Sequence, residues 1–343
     1  MIRPARLIDL PGLNRPQHLL SLDLPNSVVR EFSPAGFAAR SALGPLRGGA
    51  DCLLYTHRMR PIAACYYDSP GRGEEASIVA LSAFGNSNDQ GTWVAWERLA
   101  ERTCLRAAGD GKLRVVAKPE EGSELAGLLH KLGFTIATRE RVLVSTGASL
   151  AGERQPGFEP LRNDDVWDVW KLYSRTEPVV VQRAEGLTPA SWLRSRKARR
   201  KLRQEWLLRV DGNVVVHTEL MLGQRSASIS FHYEPAHRDA LPAAILHVRA
   251  LCARRQIKSV YCVVREHQAE LEGLLLDSGF ESVRQQVRLV LYTSVLAFAG
   301  EPMQIPATEK AAAVWRGATM QDLSGGQEHA QIPGPDWYNY VKR

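Results

Sequence analysis

The 343-residue chain lacks the short motifs that mark several large enzyme classes. It contains no GxSxG, HExxH or GxxxxGK[ST] sequence, so a hydrolase elbow, a zinc protease helix and a P-loop have no support. Its five cysteines are scattered and no CxxC pair occurs. This pattern argues against a disulfide framework or a zinc site, and we predict no bound metal.

Long apolar runs are also missing. The most apolar late stretch, residues 289–300, is too short to cross a bilayer and contains polar residues. The first 13 residues hold no long apolar segment of the kind found in signal peptides. We therefore expect a cytoplasmic protein with no membrane partner.

Acidic residues are absent from one strongly basic segment, residues 194–203. The net charge of the chain is +7, and this segment carries all of it. Three interpretations remain open: a solvated helix face, a surface for an anionic partner such as nucleic acid or an acidic protein, or a selector of an acidic acceptor. The segment contains seven basic residues: Arg194, Arg196, Lys197, Arg199, Arg200, Lys201 and Arg203.

A repeated sequence reveals the organisation of the chain. Residues 124–134 read ELAGLLHKLGF and residues 270–280 read ELEGLLLDSGF, 146 positions later (270 − 124). The same offset aligns residues 112–120 with residues 258–266 without a gap, and both are short apolar runs typical of buried strands. Because one offset spans several elements, we predict two copies of one fold, with Phe134 and Phe280 equivalent and buried.

Each copy is predicted to contain one or more helices followed by the order β-β-β-α-β-α-β. The second hairpin turns through Asp211-Gly212, a strong turn signal. We expect an α/β (α+β) fold in which each copy has a mixed, mostly antiparallel sheet flanked by helices. The predicted boundaries are domain 1 at 1–147, a linker at 148–156, domain 2 at 157–296 and an irregular C-terminal tail at 297–343.

This element order, with LGF or SGF between the last helix and the last strand, resembles the GCN5-related N-acetyltransferase (GNAT) superfamily. The openings IRPARLIDLP (2–11) and FEPLRNDDVWDVWKLY (158–173) are similar to the start of a domain in that family. The resemblance covers roughly residues 1–295 as two tandem copies. It implies acyl transfer from acetyl-CoA to an amine.

The resemblance also implies a Q/R-x-x-G-x-G/A loop at a helix N-terminus, whose backbone N–H groups hold the pyrophosphate of acetyl-CoA. In the first copy the position falls on residues 90–95, which begin Gln90-Gly91. Gln90 and Ala95 fit the pattern, but Trp93 stands where the first glycine is required. In the second copy it falls on residues 236–241, which contain no glycine and place Asp239 toward a phosphate. We therefore expect both copies to be degenerate, with weak or absent acetyl-CoA binding, and the first copy to be the better candidate.

Catalytic groups are equally sparse. The tyrosine that family members often use as a general acid corresponds here to Leu129 and Leu275, which cannot donate a proton. Weak candidates for a general base on the preceding strands are Glu75, His232 and Glu234.

Three functions remain open at this point. The first is a tandem GNAT-like protein with a non-catalytic, accessory binding role. The second is an active N-acyltransferase that uses acetyl-CoA. The third is a nucleic-acid- or ribosome-associated binding protein centred on residues 194–203.

Overall fold

The computed structural model describes residues 1–43, 49–58, 60–69, 74–85, 90–146, 153–199 and 202–293, without the side chains of 195–199. Part of the predicted linker and the whole predicted tail from 297 lie outside the described residues. Met1–Thr293 forms one compact unit. Within the described residues, no helix is long and apolar enough to cross a membrane.

The first half begins with short elements and continues through the predicted order. Its strands are β1 (Ile2–Pro4), β2 (His18–Ser21), β3 (Ala50–His57), β4 (Arg60–Asp68), β5 (Glu75–Ala83), β6 (Arg114–Ala117) and β7 (Thr135–Thr146). Its helices are α1 (Leu10–Leu13), α2 (Leu24–Val29), α3 (Pro34–Ala42), α4 (Gln90–Gly109) and α5 (Glu124–Lys131).

The second half follows the same order. Its strands are β8 (Phe158–Pro160), β9 (Arg203–Val210), β10 (Asn213–Leu222), β11 (Ser226–Tyr233), β12 (Ser259–Arg265) and β13 (Glu281–Tyr292). Its helices are α6 (Val166–Thr176), α7 (Val179–Glu185), α8 (Pro189–Arg199), α9 (Leu241–Arg254) and α10 (Ala269–Asp277). A 3-10 helix, Pro235–Ala240, precedes α9.

The repeated sequence encodes the end of a helix. Gly133 and Gly279 both have positive φ, 91° and 84°, a conformation that glycine adopts without strain. The N–H of Phe134 donates to the carbonyl of Leu129, and the N–H of Phe280 donates to that of Leu275. This is the Schellman arrangement, which satisfies the last helical carbonyls and turns the chain back. Both phenylalanines are buried, so the predicted equivalence is confirmed.

Within the described residues, thirteen strands form one sheet, in the order β1-β3-β4-β5-β6-β13-β7-β12-β11-β10-β9-β8, with β2 paired to β5 outside this path. The two halves exchange their last strands. β13 lies between β6 and β7 of the first half, and β7 lies between β13 and β12 of the second. Each half therefore supplies a strand that the other half needs for a continuous sheet.

The β7–β13 pairing is symmetric about one residue pair. Glu140 lies opposite Gln286, and these residues are separated by the repeat offset of 146. Arg141 lies opposite Gln285 and Arg139 opposite Val287, so the register on one side of the centre repeats on the other. A local two-fold axis therefore passes through Glu140 and Gln286, as in the self-complementary interface of a symmetric dimer.

Helices cover both faces of the second half, as predicted. On one face Ile245 of α9 and Leu275 of α10 belong to a buried core with Phe231 of β11. On the other face Val169 of α6 and Trp192 of α8 form a core with strand residues Leu207 and Val214. Alternate strand residues point to opposite faces, which is why the two cores can share the same strands.

We predict that the halves stay together after the chain between them is cut. A protease site inserted between residues 147 and 152 should yield two fragments that co-elute in size-exclusion chromatography, because β7 and β13 are each held between strands of the other half. The fragments should separate only in denaturant. Separation under native conditions would contradict the exchanged-strand arrangement.

Candidate functional site

A crevice opens in the second half between two parallel strands. β11 and β12 pair only from Ser226–Ser259 to Ile229–Cys262, and the remaining residues of the two strands are not paired to each other. α9 connects the two strands, as in other parallel β-α-β units, in which ligands bind beyond the carboxyl ends of such strands. A cavity of about 330 Å³ lies here, lined on these strands by Ser228–His232, Val263 and Arg265. Its volume is within the range of small-molecule sites.

One face of β11 supplies the polar wall of the cavity. Ser228, Ser230 and His232 alternate along the strand and so point to the same side. The hydroxyl groups of both serines have no hydrogen-bond partner among the described residues and are available to a ligand.

Arg265 anchors an ion cluster at the end of β12. Its guanidinium bridges Glu177 and Glu185, and Tyr173 donates a 2.8 Å hydrogen bond to Glu185. Burial alone would raise the pKa of Glu177, but the hydrogen bond from His267 and the charge of Arg265 outweigh it and lower the pKa to about 2. Both carboxylates are therefore held ionised against a buried arginine.

Two histidines extend the cluster across β11, β10 and β9. The Nδ1 atoms of His232 and His217 are 3.4 Å apart, and Nε2 of His217 is 3.2 Å from Glu205. Burial lowers the pKa of His232 to about 4, so its imidazole is neutral near pH 7. Arg203 donates to Glu205 and also contacts Glu219 at 2.8 Å, so one arginine serves two carboxylates.

The exchanged strands bring first-half residues into the same cavity. Glu140 of β7 accepts a 2.7 Å hydrogen bond from Gln286 and lies 3.4 Å from Lys118. Arg288 of β13 contacts Glu75 at 3.3 Å and Glu185 at 3.6 Å. Because these groups meet only through the exchange, the cavity is a product of both halves.

Helix α2 of the first half, with the N-cap residue before it, closes one wall of the cavity through Asp23, Pro25 and Asn26. The Asp23 carboxylate accepts a 2.6 Å hydrogen bond from Asn26 and forms no ion pair within the described residues.

Carboxylates outnumber cations around the cavity. Among the described residues, the lining contains five carboxylates, from Asp23, Glu140, Glu177, Glu185 and Glu219, and four cations, from Lys118, Arg203, Arg265 and Arg288. Two of the arginines also form ion pairs with carboxylates outside the lining: Arg203 with Glu205, and Arg288 with Glu75. Among the described lining residues, with His232 neutral, carboxylates therefore exceed cations by one. His267, outside the lining, also contacts Glu177 at 3.3 Å.

The corresponding crevice of the first half is filled by the chain itself. β5 pairs in parallel with β6 only from Glu75 to Ser77. Further along, residues 80–83 bond to β4 on one edge and to β2 on the other. Because β6 and β2 use the same edge of β5, β2 lies where the crevice would open. This favours the second half over the first as a ligand site, whereas the sequence pattern had indicated the first copy as the better candidate.

The first-copy residues predicted to bind acetyl-CoA lie at the start of α4. Gln90 and Gly91 are exposed in its first turn, whereas Ala95 is fully buried and faces the core. Trp93 packs edge-to-face on Trp96 with ring centroids 5.0 Å apart. With β2 in the crevice, this end of the first half does not fit an acyl-CoA.

The second copy fits the cofactor only in part. Its crevice is open, but the segment Pro235–Ala240 forms a 3-10 helix without glycine, and Arg238 is bound to Glu270 at 2.8 Å. Leu129 and Leu275, at the positions of the general acid, are both buried in the core.

The three candidate bases are not brought together. His232 is in the cavity wall, and Glu75 bonds Arg288 beside it, where burial raises the pKa of Glu75. Glu234 follows β11 and pairs with Arg175 at 3.1 Å.

The basic segment spans the end of α8 and the start of β9. Arg194 is exposed, while the side chains of Arg196, Lys197 and Arg199 and the whole of Arg200 and Lys201 lie outside the described residues. Arg203 is half-buried, and its side chain, 8% exposed, forms ion pairs with Glu205 and Glu219.

Sequence reasoning missed the residues that define the cavity, notably Glu140, Glu177, Glu185 and Arg265. A signal existed for Glu140, because it is a charged residue in the middle of a long strand, where it must face either solvent or a buried partner. No local pattern distinguishes Glu177 and Glu185, which precede and end α7, from ordinary charges at helix ends.

We predict that the buried His232 makes the stability of the fold pH-dependent. The pKa of His232 is lowered to about 4 in the folded chain. The imidazole of the unfolded chain therefore binds a proton below about pH 6.5, whereas that of the folded chain binds one only near pH 4. The unfolding free energy should therefore fall by about 2 kcal/mol from this group between pH 7 and pH 5. Urea titrations should show that His232→Asn weakens this pH dependence, whereas substitution of the exposed His57→Asn does not. Equal slopes for wild type and His232→Asn would contradict the buried neutral histidine.

Comparisons with known proteins agree with this architecture. No family profile and no curated protein matches the chain. A tandem GNAT protein from the clavulanic acid biosynthesis pathway, solved without AcCoA, superposes with a TM-score of 0.54 at 12% identity, covering 85% of this chain and 98% of that one. A GCN5-related N-acetyltransferase from Sphaerobacter thermophilus superposes with a TM-score of 0.54 at 17% identity, covering 85% and 95%. The exchanged sheet, the duplicated helix ends and these superpositions together give the chain a tandem GNAT-like fold.

Proposed function

We propose that this protein is a binding protein of GNAT-like fold whose ligand, a small amine, occupies the cavity of the second half. The observation that carries the proposal is that carboxylates outnumber cations among the described residues that line the cavity, with one histidine held neutral beside them. Buried carboxylates without enough cations are costly. An ammonium group would relieve that cost and donate hydrogen bonds to Asp23, which forms no ion pair among the described residues, and to Glu219, which pairs there with Arg203.

A binding role without acyl transfer agrees with the chemistry of the cavity walls. A general base works best with a pKa near the working pH, but the pKa values of Glu177 and His232 lie well below 7. The general-acid position is a buried leucine.

The proposal predicts a charge-ordered binding series. In isothermal titration calorimetry, 1,4-diaminobutane should bind, and succinate and 1,4-butanediol, which match its length without its charge, should not. Glu219→Gln should weaken diamine binding by about tenfold, since a charge-assisted hydrogen bond contributes about 1.5–3 kcal/mol. Glu97→Gln, an exposed substitution on α4, is the matched control. Equal affinity for the diamine and the diol would overturn the proposal.

Acyl transfer from acetyl-CoA to an amine is the second candidate, favoured by the open crevice between β11 and β12. Titration calorimetry with acetyl-CoA distinguishes this candidate from the non-catalytic, amine-binding role. Low-micromolar acetyl-CoA binding that is strengthened by Asp239→Gly, with turnover of the diamine, would favour the acyltransferase. Absence of binding would support the non-catalytic role.

An anionic partner at residues 194–203 remains a separate proposal, supported by the exposed Arg194 and the run of cations that follows it. Arg203 is excluded from this surface because it is already engaged in buried ion pairs. The partner would be a nucleic acid, since its phosphates release counterions on binding to a dense cationic run.

A quadruple variant should be retained less strongly on heparin. It carries Gln in place of Arg194, Arg196, Lys197 and Arg199. The slope of log K against log salt for RNA binding should also become shallower, by about one unit for each lost phosphate contact. In the charge-matched control, Gln replaces four exposed arginines elsewhere in the chain: Arg15, Arg60, Arg98 and Arg102. If both quadruple variants elute alike, the segment is ordinary solvated surface.

A further inference from the structure

One continuous segment, residues 17–29, touches the functional regions of both halves. Its first part, with β2, fills the crevice of the first half. Its second part, α2, forms a wall of the cavity in the second half.

The strand end is held by a short ladder. The N–H of Gln17 donates to Ala83 at 3.0 Å, and the N–H of Leu22 donates to Val79 at 2.8 Å. β2 itself has only four residues, and Leu19 and Leu20 are 42% and 36% exposed. Its attachment to the first half is therefore limited, apart from the buried Leu22.

The last residue of β2 and the helix α2 both contact the second half. Arg284 of β13 donates a 2.8 Å hydrogen bond to the carbonyl of Ser21. α2 packs against β11, and its last carbonyl, from Val29, lies so close to Gly223 that a Cβ at that glycine would be 2.1 Å from the oxygen. Only a glycine at position 223 permits this approach.

Short hydrogen bonds join β2 to α2. The hydroxyl of Ser21, the last residue of β2, donates to the hydroxyl of Ser27 in α2 at 2.9 Å. The N–H of Ser27 also donates to the carbonyl of Asp23 at 2.8 Å. A displacement of α2 is therefore transmitted to β2 over a few residues.

We infer that residues 17–29 are a strap that links ligand binding in the second half to closure of the crevice in the first. A ligand that contacts Asp23 and Asn26 stabilises α2 in its place, and thereby holds β2 in the crevice. Linkage is reciprocal, so release of β2 weakens ligand binding by the same factor. This inference rests on the proposed function for the ligand, but the mechanical connection can be tested without one.

The first arm needs no ligand. Gly223→Ala places a methyl group against the Val29 carbonyl and should displace α2. Hydrogen exchange of peptides covering residues 17–29 and 78–83 should then accelerate by about tenfold, while peptides in α9 keep their protection. Gly127→Ala, where a Cβ meets nothing within 4 Å, is the control. If Gly223→Ala does not fold, Arg284→Met removes the anchor on Ser21 instead and should give the same local acceleration.

The second arm measures the reciprocal effect with 1,4-diaminobutane. Leu22→Ala loosens the strand end without touching the cavity lining and should raise the Kd about fivefold or more. Leu13→Ala, an equally buried leucine outside the strap, removes the same atoms and should leave the Kd unchanged.

The outcomes separate the two proposals. Unchanged exchange in the Gly223 and Arg284 variants, or equal Kd values for the two leucine variants, overturns the strap and leaves the amine site standing. Failure of the diamine to bind overturns the amine site, and the exchange arm then decides whether the mechanical link exists. Acceleration confined to the strap together with a raised Kd only for Leu22→Ala supports the coupling.

Discussion

The pairing of β7 with β13 is the interaction on which the rest of this molecule depends. Nine residue pairs join the two strands, and each strand also lies against a second strand of the opposite half. A separate half would leave unpaired edges on both sides of the vacancy, an arrangement prone to non-specific strand addition. Exchange satisfies those edges internally and makes a single sheet from two copies.

The same exchange explains why ionic groups collect at the centre. Lys118 and Glu140 come from the first half, while Glu177 and Arg265 come from the second. Burying such groups stabilises a fold less than apolar side chains of similar volume would. Hydrogen bonds among them, such as those from Tyr173 and Gln286, limit the desolvation cost. The chain thus keeps a polar, charged cavity at a place where hydrophobic packing would be more stable.

The two copies differ more at their crevices than in their helix ends. Both retain the helix end with glycine and phenylalanine, because that geometry is required for the last strand to return to the sheet. Only the second retains an open crevice between its parallel strands, since β2 occupies the first. The helix that follows β2 then borders the open cavity, so the closed half contributes to the site of the other.

Local sequence determined the elements, the duplication and the position of each turn. The offset between Phe134 and Phe280, the Asp211-Gly212 hairpin and the alternation along the strands each report on neighbouring residues, and the structure confirms them. The partner of a strand edge is not encoded locally, because backbone hydrogen bonds carry no residue identity. Tertiary structure alone decided that β13 enters the first half, that β2 fills its crevice, and that Glu140, Glu177 and Arg265 meet around one cavity, because residues up to 125 positions apart approach only after the strands exchange (265 − 140).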